Sequence, residues 1–195
     1  MNVMMTIMVP SYEECLRLLE QYQVPEHIFR HSLIVCTVAL TLCRELNRSG
    51  EALDQAKVQA AALLHDIAKM ESLQTGKSHA QVGAQWLSRL GFDEVGEIVR
   101  QHVVLDDGHP PDRITEAHLV HYADKRVRHT EIVSLAERFV DLRERYGKTP
   151  QHQLWLEKLE QQSLRLEEEI FRKIPITPES LNHLRWEEHP AKDCS

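Results

Sequence analysis

Apolar residues recur three and four positions apart along most of this chain, and the alternation expected of a half-buried strand is absent. The pattern predicts an all-α protein. Ser11 with Glu14 has capping-box spacing, and Cys15, Leu16, Leu18 and Leu19 follow as an apolar stripe, so a first helix begins there. Pro25 suits the first turn of a second helix, which runs through His31 and Leu42 to about Asn47 before Gly50 ends it. A third is expected over Glu51 to Lys69, and Ser78 with Gln81 repeats the capping pattern for a fourth that Gly91 closes. A fifth covers Asp93 to Val104, a loop occupies 106–112, and Thr115 caps a sixth helix carrying Asp124. Thr130 to Tyr146 reads as a seventh ending at Gly147. Thr149 and Pro150 open a long amphipathic eighth to Lys173, and Thr177 with Pro178 starts a last short helix ending near Trp186.

These elements divide the 195 residues into a disordered leader at 1–10, a helical bundle at 11–147, a C-terminal helical extension at 148–187 and a mobile tail at 188–195. Met8 stands just before Pro10, so residues 1–7 are either a leader or the product of a misassigned start. The extension has an apolar stripe of Leu154, Leu156, Leu159, Leu164, Leu166, Ile170 and Phe171, which packs on the bundle or on the partner of a homodimer. A net charge of -7 argues against a general nucleic-acid binder, while leaving room for a local basic pocket. The four cysteines lack metal-type or redox-type spacing and read as reduced thiols of a cytoplasmic protein, with Cys15, Cys36 and Cys43 packed as small hydrophobes. The start of the chain has neither the charge of an export signal nor the length of a span, so no membrane partner is expected.

One position breaks the apolar pattern. His65 and Asp66 stand side by side after Ala60-Ala61-Ala62-Leu63-Leu64 and before Ile67-Ala68. Burying such a pair is costly, and a metal ion is the usual partner that makes it tolerable. Adjacent helical residues point about 100° apart, so a shared ion would sit close to the helix in the angle between them. His31 and Asp124 fall on separate predicted helices, for which a bundle core is the natural meeting place. Two imidazoles and two carboxylates make a mixed N/O set suited to Mn, Fe, Co, Ni or Zn.

The ordered series His31, His65-Asp66, His79, His102 and Asp124 resembles the HD superfamily of metal-dependent phosphohydrolases, over roughly Pro25 to Tyr146. The resemblance implies an HD-type helical bundle with one or two divalent ions (Fe, Mn, Co, Ni, Zn or Mg). His79 and His102 would complete a second position bridged by Asp66. It further implies hydrolysis of a phosphoester or phosphoanhydride by water activated at the metal. Within the superfamily the pattern is most similar to small bacterial proteins that split dinucleoside tetraphosphates. It differs from the cyclic-di-GMP phosphodiesterase branch, where two consecutive histidines stand at the position of His102 and Val103.

A small phosphorylated substrate, a nucleotide in the first instance, also needs cations. Lys69, four residues after His65, is the first candidate phosphate clamp and joins Asp66 as a catalytic candidate. Lys125, Arg128 and Arg30 are further substrate-binding candidates, and His109 in the acidic loop is a candidate general acid. His121, one turn before Asp124, is the first substitute ligand, although His27, His118, His121 and His129 read primarily as surface or packing residues. Two alternatives stand beside this reading: an HD hydrolase of RNA ends or cyclic phosphates, and a non-catalytic metal- or nucleotide-binding sensor.

Overall fold

Side-chain caps set most helix boundaries in the computed structural model, which describes residues 8–106 and 113–185. Ser11, Asp54, Ser78, Thr115, Ser134 and Thr149 each accept a backbone N–H in the first turn of the helix that follows. The elements in order are α1 (Tyr12–Gln21), α2 (Glu26–Arg48), α3 (Gln55–Leu64), α4 (Lys69–Thr75), α5 (His79–Arg89), α6 (Asp93–Gln101) and α7 (Glu116–Lys125). A two-stranded hairpin follows, β1 (Val127–Arg128) and β2 (Glu131–Ile132), then α8 (Leu135–Tyr146), α9 (Pro150–Lys173) and a 3₁₀ turn at Pro178–His183. The leader 1–7, His109 and the tail 188–195 lie outside the described residues.

Two departures from the expected elements bear on function. The third helix stops at Leu64: the N–H groups of Ile67 and Lys69 bond back only three residues, to Leu64 and Asp66. His65 and Asp66 therefore sit in a tightened turn rather than mid-helix. A separate short helix, α4, runs on to Gly76, whose φ of 71° ends it. The seventh predicted helix starts not at Thr130 but at Leu135, because Val127 to Ile132 forms an antiparallel hairpin with Val127 opposite Ile132. Its turn holds His129 at φ 57°, a left-handed conformation that no glycine signals in advance. Arg128 is accordingly on a strand and not on the helix of Asp124. The last element is a 3₁₀ turn ending at His183 rather than a helix to Trp186.

α2 is the central element. It packs chiefly on α3 and α7, α3 packs on α6, and α5 and α6 pack on each other along most of their length. That pair is tight because Gly96 lacks a side chain: a Cβ there would lie 2.9 Å from the carbonyl oxygen of Ala84. α2 is long and apolar enough to cross a membrane by length and composition, but its stripe from Val35 to Leu46 is spent on the protein's own core. α9 likewise buries Leu156, Leu159, Leu166 and Ile170 against the bundle, leaving Leu154, Trp155 and Leu164 exposed.

Arg126, just past the end of α7 and 1% exposed, ties the C-terminal segment to the bundle. Its guanidinium donates to Val133 O (2.6 Å), the Tyr122 hydroxyl (2.6 Å), Glu167 (3.3 Å), Pro178 O (3.0 Å) and Asn182 Oδ1 (3.2 Å). The Tyr122 hydroxyl in turn donates to Glu167. One buried cation thus joins α7, α9, the entry to α8 and the 3₁₀ turn, close in sequence to Asp124.

Candidate metal centre

Six residues predicted from sequence converge in the middle of the bundle. α2 supplies His31, the turn after α3 supplies His65 and Asp66, the start of α5 supplies His79, the end of α6 supplies His102, and α7 supplies Asp124. The imidazoles of His31, His65, His102 and His79 follow one another with ring centroids 5.3, 5.0 and 4.9 Å apart. The two carboxylates are set among them. His31 Nε2 is 3.1 Å from Asp124 Oδ1, and His65 Nε2 is 3.7 Å from both Asp124 Oδ1 and Asp66 Oδ2. His79 Nε2 and His102 Nε2 lie 3.1 and 3.7 Å from Asp66 Oδ1 and 3.0 Å from each other.

The orientation of the rings is set by the backbone. Nδ1 of His31 donates to the His129 carbonyl at 2.9 Å, that of His65 to Ala62 at 2.8 Å and that of His102 to Val99 at 2.7 Å. A neutral imidazole holding its proton on Nδ1 presents the Nε2 lone pair as a ligand. All three Nε2 atoms point into the cluster. That of His65 is buried with no hydrogen-bond partner among the described residues, and such an orphan acceptor is costly unless something else engages it.

His31, His65 and Asp124 form one group able to hold an ion, and His65, Asp66 and His102 a second, each with ligand atoms within 4.8 Å of one another. His79, beside Asp66 and His102, would complete the second group. The donor chemistry of the residues therefore fits divalent metal, in a mixed N/O set that admits several first-row ions.

Charge states agree with this. Burial opposes ionisation of Asp66, but its polar neighbours His65, His102 and His79 and the Lys69 ammonium outweigh it and hold the carboxyl well below the usual carboxylate range. Burial opposes ionisation of Asp124 too, and Lys125 with His31 and His65 overcomes it. Burial pushes the His65 imidazole down to about 3 from 6.5, and lowers that of His79 as well. Ionised carboxylates beside neutral imidazoles are the forms a cation requires.

A stability prediction follows from these directions. The folded state of the metal-free protein binds fewer protons than the unfolded state wherever a depressed group titrates, so stability rises with pH there. For His65 the contribution is complete above the unfolded value of 6.5 and is lost as pH falls from 6.5 towards 3; Asp66 and Asp124 add a further loss below 3.8. The urea midpoint of chelated protein should therefore fall from about pH 7.5 to about pH 5, the upper part of that window. A midpoint that holds steady or rises over that interval would contradict the assigned protonation states.

The cations expected to bind substrate are placed unequally. Lys69, at the start of α4 and partly exposed, reaches 3.4 Å from Asp66 Oδ1, so its ammonium stands at the edge of the cluster. Arg30 lies on the surface, paired with Glu26 at 2.7 Å, and Arg128 pairs with Glu131 at 3.0 Å across the hairpin. Lys125 is buried, with its ammonium committed to Asp124 Oδ2 at 2.8 Å and the His102 carbonyl at 3.0 Å. Two roles were not legible beforehand. His118 completes a capping box with Thr115, and His121 is fully buried, donating from Nδ1 to the His102 carbonyl at 3.0 Å. Their only sequence signal is helical spacing from Thr115 and Asp124.

Known proteins share parts of this chain. An uncharacterized protein of Methanocaldococcus jannaschii is 29% identical over 151 residues, 71% of this chain and 88% of that protein. The 1.45 Å crystal structure of a predicted HD superfamily hydrolase from an uncultured Thermotogales bacterium is 20% identical, with a TM-score of 0.49 over 88% of this chain and 98% of that one. The HD domain matches the sequence from residue 28 to residue 129, a span that opens three residues before His31 and closes five after Asp124. With every histidine and aspartate of the cluster inside that match, which covers just over half of the sequence, the chain belongs to the HD domain family.

Proposed function

We propose that this protein is a metal-dependent phosphohydrolase that cleaves a phosphoester or phosphoanhydride of a nucleotide, with dinucleoside polyphosphates as the leading substrates. The observation that carries the reading is the unpartnered, fully buried Nε2 of His65, held between the carboxylates of Asp66 and Asp124. His31, His65 and Asp124 would hold one ion; Asp66, His79 and His102, sharing His65, would hold another. Bound divalent metal supplies two things here: acidification of water to a nucleophile near neutral pH, and neutralisation of phosphate charge.

The protein's own part is orientation. Backbone carbonyls hold the Nδ1 side of the His31, His65 and His102 rings so that Nε2 aims inward, and Asp66 lies 3.7 Å from His65, the residue that the two groups share. Lys69 brings a positive charge to the open edge of the cluster, where the phosphate of a substrate would meet it. Replacing Lys69 by Ala should lower kcat/KM by about 10- to 100-fold, the size of a lost hydrogen bond to a charged group, and leave metal content unchanged. Unchanged kcat/KM would remove Lys69 from the site.

The test begins with metal per chain by elemental mass spectrometry, on protein purified without chelator or affinity metal. Hydrolysis is then assayed for dinucleoside polyphosphates, mononucleotides, cyclic nucleotides and short RNAs. Cleavage of a dinucleoside polyphosphate ahead of the other substrates is the expected result. Preference for RNA ends or cyclic phosphates would redirect the substrate class, and a metal-loaded protein that returns every ligand unaltered would be a sensor.

A further inference from the structure

Lys125 does not face substrate. Only 4% exposed, it donates from Nζ to Asp124 Oδ2 at 2.8 Å and to the carbonyl oxygen of His102 at 3.0 Å. Those acceptors belong to different groups: Asp124 to the cluster with His31, and His102 to the cluster with Asp66. The His102 carbonyl accepts a second bond, from Nδ1 of His121 at 3.0 Å. Its segment lies just past the end of α6, where the helical ladder has stopped, so two donors from α7 hold it where α6 cannot.

The geometry points to Lys125 as a positioning residue that couples the two metal positions, with His121 as a second brace acting on the His102 side alone. This rests on the two-position centre proposed above. A buried ammonium beside a metal-ligating carboxylate looks counterproductive, since its charge repels a cation. Its use is geometric: it fixes the rotamer of Asp124 and sets the distance from Asp124 to His102 through one atom. Outer partners of ligands typically contribute about 10- to 100-fold in metal affinity.

The two accounts of Lys125 predict opposite signs, which makes the test decisive. Chelator-stripped full-length protein is titrated with Mn²⁺ by calorimetry, with His79→Ala identifying which binding step belongs to the His102 side. Lys125→Met, which keeps most of the stem's volume and removes the charge, should weaken both steps by about 10- to 100-fold. His121→Phe should weaken only the step that His79→Ala disturbs. Tighter or unchanged Mn²⁺ binding in Lys125→Met, with a raised KM for substrate, would mean that the ammonium is a phosphate clamp and would overturn the proposal.

If Lys125→Met yields too little folded protein, His121→Phe decides: an unchanged His102-side step there refutes the brace. A wild-type chain that takes up a single ion refutes the coupling and leaves hydrolysis at a one-metal centre standing. One that takes up none fails the functional reading itself.

Discussion

Asp66→Ala is expected to lose hydrolysis by about three orders of magnitude or more and to lose bound metal with it. Among the described residues Asp66 is the one carboxylate near His65, His79 and His102 together, with Oδ1 3.1 Å from His79 and 3.7 Å from His102, and Oδ2 3.7 Å from His65. Removing it leaves three converging imidazoles with no anionic ligand on that side. Metal provides several kcal/mol of charge stabilisation in phosphoryl transfer, and about 4 kcal/mol corresponds to roughly a thousandfold in rate. The variant should stay folded, because the deletion also relieves burial of a carboxylate whose neighbours are themselves polar. Metal analysis and turnover on one preparation provide the check. Activity that persists after the metal has gone would refute metal-dependent hydrolysis at this site.

Arg126→Met is expected to give the largest stability loss, about 3 to 5 kcal/mol, by the rule for breaking one partner of a buried ion pair. The guanidinium satisfies Val133 O, Tyr122, Glu167, Pro178 O and Asn182 at once. Methionine fills part of the volume and satisfies none of them. In a chain of this size such a loss is on the order of 10 °C in Tm. Tyr122→Phe, which leaves Arg126 bonded to Glu167 at 3.3 Å, should cost only about 1 kcal/mol. Because Arg126 lies two residues after Asp124, weaker metal binding is expected alongside the lost stability. Urea melts of both variants measure the stability terms, and a loss below about 1 kcal/mol for Arg126→Met would show that α9 is held by its apolar stripe alone.

The C-terminal segment thereby acquires a definite relation to the centre. Its stripe buries Leu156, Leu159, Leu166 and Ile170, but its alignment with α7 comes from Glu167 reaching Tyr122 and Arg126, the residues flanking Asp124 by two on each side. Extension and metal position therefore share one short stretch of α7.

What the sequence determined by itself was whatever is encoded within a few residues. Ser11, Ser78, Thr115 and Thr149 announce their helices because a cap bonds to N–H groups two or three positions on, and α9 begins and ends where Thr149, Pro150 and Lys173 predict. The all-α class and the order of the histidines and aspartates were legible for the same reason: periodicity and composition are local properties. The break after Leu64 was not, since Ala60 to Lys69 is compatible with an unbroken helix. The hairpin at Val127 to Ile132 was hidden too, because its apolar residues also suit a helix and its left-handed residue is a histidine.

Only the tertiary structure decided which cations can meet a substrate. Lys69 and Lys125 are both candidate clamps along the chain, yet one stands at the edge of the cluster and the other is buried between Asp124 and the His102 carbonyl. It also decided which nitrogen His31 presents, whereas His65 and His102 are oriented by carbonyls three residues upstream. His31 owes that choice to the His129 carbonyl, 98 residues away, and the aim of a side chain set by so distant a backbone atom exists only once the chain has folded.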